Sequence, residues 1–521
     1  MFKKKKNNIT EEQVVIDNIV YTTEEKSDVV KEKQKKINAR KEIALYDSHF
    51  KESTFWKIYI ISIIAIIGLG IGFQLSWPFL LIVVAACAFC TPKIIVSLYR
   101  NKYEERKFID TTSYIEQMLY SFRRNSKILA SLNDTLTMFP EGHMKDTIRE
   151  AIKYITTSSS SGNVYEEALA IIEKEYDCRR IRSLHRYLTK VEGAGGNHDM
   201  GIHALITDRR LWIDRINDFK KEKATIIKDI IIATIFSSAI ILITMYMLPQ
   251  DVGASKHIVA RLVSTAYIVV SLLNIKAMFS RTVLYLNDID GEAHDKAIVK
   301  KMRWYKNYDE KVEQRKAIKP VVILGVMAVG GILFNSIVIS IVAVVLALFA
   351  FFVQPKLNYK TAKKRLINEI EKSFPDWLLE LALLLQTDNL HVALEKTLDA
   401  APAVLKDDLQ ELADGIAANP NALEPYINFL NYLPLPNIHS AMKLMYSIAE
   451  FGSEEEEKQI QELIERNSVL MDKAEKNKND ERLSKVFILK FIPMGASVMK
   501  MIADMGVFII LFISTAMTNF G

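Results

Sequence analysis

The 521-residue chain has three cysteines, Cys87, Cys90 and Cys178, too few and too scattered for a disulfide framework. Cys87 and Cys90 have a C-x-x-C spacing, but they sit in the apolar run LLIVVAACAFC with no second pair or nearby histidine, which predicts packing and no metal. The only glycine-dense loop, Glu192-Gly193-Ala194-Gly195-Gly196-Asn197, lacks the Gly-Lys-Ser/Thr ending that cradles phosphates. His-Glu-x-x-His, G-x-S-x-G and kinase signatures are missing, and His198, Asp199 and His203 do not share one helical face. No enzyme, cofactor or metal is therefore expected. A net charge of +6, without interleaved basic and aromatic residues, argues against nucleic acid. Nor is a cleavable leader expected. The first long apolar run begins near Phe55, after a polar stretch opening with Lys3 to Lys6, which predicts a retained amino terminus.

What is abundant is hydrophobic residue, half of the chain, alongside a quarter that is charged. That combination, with a mean hydropathy of +0.08, predicts membrane stretches alternating with soluble ones. A bilayer core needs about 20 apolar residues in helical form. Runs of that kind come in pairs: Phe55–Phe73 with Trp77–Thr91, Ile226–Leu248 with Ile258–Phe279, Pro320–Phe334 with Ile337–Val353, and Val486–Met499 with Met505–Thr518. Lys490, Lys500 and Asp504 interrupt the last pair, and Asn335-Ser336 makes the third a tight hairpin. About eight spans are expected. Lysine and arginine crowd the amino-terminal tail, the 280–317 linker and the flanks of both large loops, which places all of them on the cytoplasmic side.

The resulting organisation is a charged tail (1–52), hairpin 1 (53–97), a helical domain (98–225), hairpin 2 (226–279), a basic linker (280–317), hairpin 3 (318–354), a second helical domain (355–484) and terminal spans (485–521). Charges lie near the ends of the spans, which speaks against a pump.

The two halves align as copies of one unit. Pro92-Lys93 falls on Pro355-Lys356, Leu132 to Leu136 on Leu394 to Leu398, Pro140 on Pro402, Asp146 on Asp408, Ile181 on Ile438 and Glu192 on Glu450. Ile115, Met118, Leu119 and Phe122 recur at helical spacing, as do Ile370, Phe374, Trp377, Leu378 and Leu381, one apolar core face in each copy. Turn residues divide the helices, and Ser453 before Glu454 to Glu456 has the form of an amino-terminal cap. The fold expected is all-α: a polytopic membrane protein with two repeated cytoplasmic helical bundles.

Leu381 to Leu394, together with Ser161-Gly162-Asn163 to Leu169 and then Glu192 to Asn197 leading to Arg209, Arg210 and Arg215, resembles the F-domain family of type II secretion. These are the inner-membrane platform proteins of type II secretion, type IV pilus and Tad pilus machines, and the tandem arrangement looks like TadB and TadC joined in one chain. Asn125 and Asp388 depart from the small residue usual in the turn, and the second copy keeps only Gly452 of the glycine cluster.

The resemblance implies a bacterial inner-membrane protein, expected to be homo-oligomeric. Its partners would be a hexameric secretion ATPase and pilin-like membrane subunits. Arg123, Arg124, Arg209 and Arg210 are the candidate contacts with the ATPase, and Gly193, Gly195 and Gly196 are turn formers. The rival reading is a transporter or channel built from parallel repeats with regulatory cytoplasmic domains.

Overall fold

The computed structural model describes residues 39–47, 50–158, 163–195, 199–249, 253–284, 292–333, 337–450 and 453–520. Every regular element among them is helical. In chain order they are α1 (Ala39–Tyr46), α2 (Glu52–Gly72), α3 (Trp77–Arg124), α4 (Ile128–Met138), α5 (His143–Thr157), α6 (Val164–Tyr176), α7 (Arg179–Ala194), α8 (Asp199–Met247), α9 (Ile258–Arg281) and α10 (Glu292–Lys306). Then follow α11 (Glu310–Leu333), α12 (Ile337–Leu348), α13 (Gln354–Leu384), α14 (Leu390–Leu398), α15 (Ala403–Ala418), α16 (Glu424–Asn428), α17 (Pro436–Glu450), α18 (Ser453–Phe487) and α19 (Phe491–Phe520). The lysine-rich tail, Ser161-Gly162, Gly196 to His198, Asn335-Ser336 and Gly452 lie outside the described residues, as do the side chains of Ser453 to Glu456.

Among the described residues six stretches are long and apolar enough to cross a bilayer: Glu52–Gly72, Trp77–Arg124, Asp199–Met247, Ile258–Arg281, Ser340–Leu384 and Glu457–Met517, with Val321–Gly330 a shorter apolar helix. Their large side chains are largely uncovered by protein, as at Ile61, Ile64, Ile235 and Phe236. The chain is thus a multi-pass membrane protein by length and composition.

Pro92-Lys93 lies inside α3, as proline can in a spanning helix, where neighbouring groups take up the freed backbone carbonyl. Two expectations need correction. The last pair of spans is no hairpin: Met499 to Met505 is helical throughout, so α19 is one helix, and eight spans reduce to the six above plus the shorter apolar helix. Lys500 and Asp504 stand one turn apart on the same face and pair with each other, 1% and 7% exposed, so the charges that seemed to interrupt the run are buried within it. They also overturn the expectation that charge is confined to the ends of spans.

The chain divides into two compact units. The first takes residues up to Arg106, Lys223–Leu284 and Leu483 onward. Here α2 and the start of α3 approach closely at Gly70, where a Cβ would stand 2.5 Å from the Leu80 Cδ1. Gln74, with φ +52, reverses the chain between them, and its Oε1 accepts from the Ser255 hydroxyl at 2.8 Å just before α9. Phe73, Val83, Ile241, Tyr267 and Ile268 form one apolar layer, and Ile230, Met278, Val486 and Leu489 form another. Asn274 donates to the Leu489 carbonyl at 3.0 Å, which fixes α19 beside α9.

The second unit takes Lys107–Glu222 and Tyr285–Arg482. The expected core faces are found: Ile115, Met118, Leu119 and Phe122 on α3, and Ile370, Phe374, Trp377, Leu378 and Leu381 on α13, are all buried. Each such side chain contributes about 1.5–3 kcal/mol by leaving water. Trp377 also donates to Thr397 at 3.0 Å, which ties α13 to α14.

The basic linker is not simply a connector. It contains α10, which lays Tyr305 against Tyr359 at 5.0 Å and Lys306 on Asp408 at 2.9 Å. Hairpin 3 belongs to this unit, with the Ser340 hydroxyl donating to the Ala328 carbonyl at 2.9 Å between α12 and α11.

Candidate functional site

Three helix turns of the second unit meet: α3 to α4, α7 to α8, and α13 to α14. Lys127, at the start of α4, provides no side-chain cap. Glu192 arrives from the end of α7 instead and accepts from the Ile128 N–H at 2.8 Å, with the Lys127 ammonium 3.7 Å away. A carboxylate at a helix amino terminus satisfies a free N–H and complements the helix dipole. Glu192 is therefore a cap supplied from another helix. Gly195, with φ +70, ends α7 in a conformation that glycine adopts without strain. Gly193 is helical and meets nothing a Cβ would touch, so the turn requires glycine at 195 and not at 193.

The four candidate arginines separate. Arg123 bonds Asp199 at 2.9 Å, and Arg124 pairs with Asp134, both at exposed positions. Arg209 points inward: Nε donates to the Thr112 carbonyl at 2.7 Å and Nη2 to Glu116 at 2.6 Å, which removes it from the surface. Arg210 is exposed. The structure thus brings Arg123 to the Glu192 turn through Asp199, and does not bring Arg209 and Arg210 into one surface cluster.

Sequence reasoning missed the larger electrostatic feature, a ladder between α7 and α13. Arg179 bonds Asp376 at 2.8 Å, Arg186 pairs with Glu380, and Lys190 pairs with Asp388. Asp388 also receives Lys396 at 3.0 Å. Burial acts to raise the Asp388 carboxyl, and the bonds from Lys190 and Lys396 outweigh it, so the group sits below the ordinary carboxylate range. The carboxylate at this turn is thus an ion-pair partner. Tyr187 donates to the Gln386 Oε1 at 3.2 Å, and the Gly201 N–H donates to the same atom at 3.1 Å. Gly201 is constrained to be glycine, since its Cβ would stand 2.2 Å from the Tyr187 hydroxyl.

A second network holds α3, α6 and α7 together. His185, fully buried, bonds the Tyr114 hydroxyl through Nε2 at 2.8 Å and Glu173 through Nδ1 at 2.8 Å. Burial lowers the imidazole below its usual value of 6.5, against the pull of Glu173. A depressed histidine binds its proton more readily in the unfolded chain, so stability is intact above pH 6.5 and falls as pH drops below it. We expect the melting temperature to decline between neutral and mildly acidic pH, and His185→Gln to remove that part of the slope. An identical slope in the variant would assign it to other groups.

Cys87 and Cys90 are buried and free, with Cys87 Sγ 3.5 Å from the Thr91 hydroxyl. Among the described residues no group of three histidine, cysteine or acidic side chains could hold a metal ion. The chain matches no protein-family model, no curated protein and no solved structure.

Proposed function

We propose that the chain is a platform protein of a type IV filament-like assembly machine, of the Tad or type II secretion kind, in the bacterial inner membrane. Both helical regions would face the cytoplasm, where they take up the motion of a hexameric secretion ATPase and pass it to pilin-like subunits in the bilayer. The observation that carries this reading is the order of elements. Helices α3 to α8 and α13 to α18 are two runs of six, each opening and closing on a long helix.

The aligned positions fall in corresponding places: Leu132 and Leu394 in α4 and α14, Pro140 and Pro402 just before α5 and α15, Ile181 and Ile438 in α7 and α17. This supports a duplication, in which α8 runs from the bundle into a span and α18 leads through the short helical turn Ile488–Lys490 into the span of α19. Exposed Arg123, Arg124 and Arg210 remain the proposed contacts for the ATPase, whereas Arg209 is assigned to the bundle interior.

The test has two arms. Site-specific crosslinkers at Arg123 and Arg210 in the intact protein should capture a hexameric ATPase encoded beside it. Topology reporters inserted near residues 160 and 420 should read as cytoplasmic, whereas one fused after Met517 should read as external, because a single last span follows three hairpins. An external reading at 160 or 420 would end the proposal. A transporter is the second reading, favoured by the buried Lys500–Asp504 pair, since ionisable groups within spans mark transport pathways in many membrane proteins. Ion flux in proteoliposomes, abolished by Asp504→Asn, would favour it.

A further inference from the structure

The first three turns of α7 place Arg179, Arg182 and Arg186 at i, i+3 and i+7, on one face. All three line a cleft of about 590 Å³ in the second unit, walled otherwise by α10, α13 and the start of α15. Each arginine engages a carboxylate through Nη1 alone: Arg179 to Asp376 and Arg182 to Asp177, both at 2.8 Å, and Arg186 to Glu380. A guanidinium held in that way still has its Nε and Nη2 hydrogens, a parallel pair that matches two oxygens of a phosphate.

Lys372 and Lys406 add two further cations to the lining, against the carboxylates of Asp295, Glu369 and Asp376. Opposite the arginines, α15 begins at Ala403 with Pro402 before it, which gives no side-chain cap. The N–H groups of Ala403 and Val404 have no acceptor within the helix, and both residues line the cleft. The remaining wall is Ile298, Ala400 and Ala401 with Ser373 and His294, and no phenylalanine, tyrosine or tryptophan lines it.

We propose that this cleft binds a small soluble anion carrying two or three linked phosphates. Arg179 and Arg186 are separated by about 10 Å along the helix axis, the reach of a short polyphosphate chain. The cations and helix N–H groups of the lining address the phosphate chain, and the one ring present, His294, lies against the Glu369 carboxylate, which leaves little for an attached base. Arg179 and Arg186 also bridge α7 to α13, so an occupied cleft adds a shared counter-charge to the same ladder. Binding should therefore tighten the docking of the two runs of helices. The inference does not depend on the proposed function.

The purified full-length chain, in nanodiscs of zwitterionic lipid, is titrated calorimetrically with inorganic tripolyphosphate, with sulfate as the control. Saturable binding tighter than about 1 mM, weakened by added salt, is expected. The double variant Arg182→Gln/Lys406→Gln, which leaves the α7–α13 ladder in place, should weaken it about tenfold or more. Its melting temperature without ligand serves as the folding control, and Lys406→Glu, at an exposed position, replaces it should the double variant unfold. No saturable binding, equal binding of sulfate, or unchanged affinity in the folded variant would each overturn the site.

Discussion

Arg180→Ala is expected to destabilise the second unit by roughly 3–5 kcal/mol, the range for removing one partner from a buried ion pair. Arg180 lies at the start of α7 and reaches into the interior, where Nε donates to the Asp208 Oδ2 at 2.9 Å and Nη2 to the Oδ1 at 3.2 Å. The same Nη2 donates to Glu475 on α18 at 3.1 Å, and the guanidinium lies 4.5 Å from the Trp212 ring centre. Burial pushes the Asp208 carboxyl up, opposed by Arg180, and the neighbouring carboxylates hold Arg180 charged. Without the arginine, the Asp208 carboxylate, 6% exposed, loses the cation that holds both its oxygens.

A fall in melting temperature on the order of 10 °C follows, read in a thermal-shift assay of the full-length protein. The pH dependence gives an independent check. In the variant the folded Asp208 has a raised pKa, so the folded state binds more protons than the unfolded one. Stability must then fall as pH rises and return as pH is lowered. Arg180→Lys should recover only part of the loss, because an ammonium cannot make the bidentate contact with Asp208. A variant melting alongside the parent at every pH would mean the three-way pair is not formed.

Arg180 also shows which parts of this fold were legible in the sequence. The first four spans were legible because apolar runs of bilayer length, with charges only near their edges, admit few other conformations. The core faces of α3 and α13 were equally plain, since helical periodicity states which side is buried. Charged positions were harder. Arg209 belongs to a basic stretch and was assigned to the surface, yet Leu205, Trp212 and Ile216, all buried, share its side of α8. The same periodicity that located the core should have turned Arg209 inward toward Glu116.

The ladder from α7 to α13 joins residues 194 to 198 positions apart. Neither helix alone names its partner. The basic spacing at 179, 186 and 190 and the acidic positions 376, 380 and 388 were visible, but pairing them requires the tertiary arrangement. Asp388 was read as a mere departure at a turn for that reason. Likewise Glu192 was placed in a turn motif, whereas its carboxylate serves a helix 64 residues earlier.

The buried pair in α19 is the point at which apolar counting failed outright, and it gives the second large effect. Asp504→Asn should leave the Lys500 ammonium, 1% exposed, inside a spanning helix without its counter-ion. Placing an unpaired charge within a span costs about 3 kcal/mol on insertion scales, and Lys500→Met should impose a comparable loss by stranding Asp504. Both single variants should therefore show lower yield of detergent-stable protein and a lower melting temperature in nanodiscs. The double variant Lys500→Leu/Asp504→Leu removes both charges and should recover most of the loss, since a buried pair and an apolar pair of similar volume are often close in stability. The exchange Lys500→Asp/Asp504→Lys keeps one cation and one anion a turn apart and should recover it too. Strict dependence on the original order would point to a third charged group against this face, and Arg261, near the start of α9, would be the residue to examine. Single variants as stable as the parent would show that water, and not the partner charge, solvates each group.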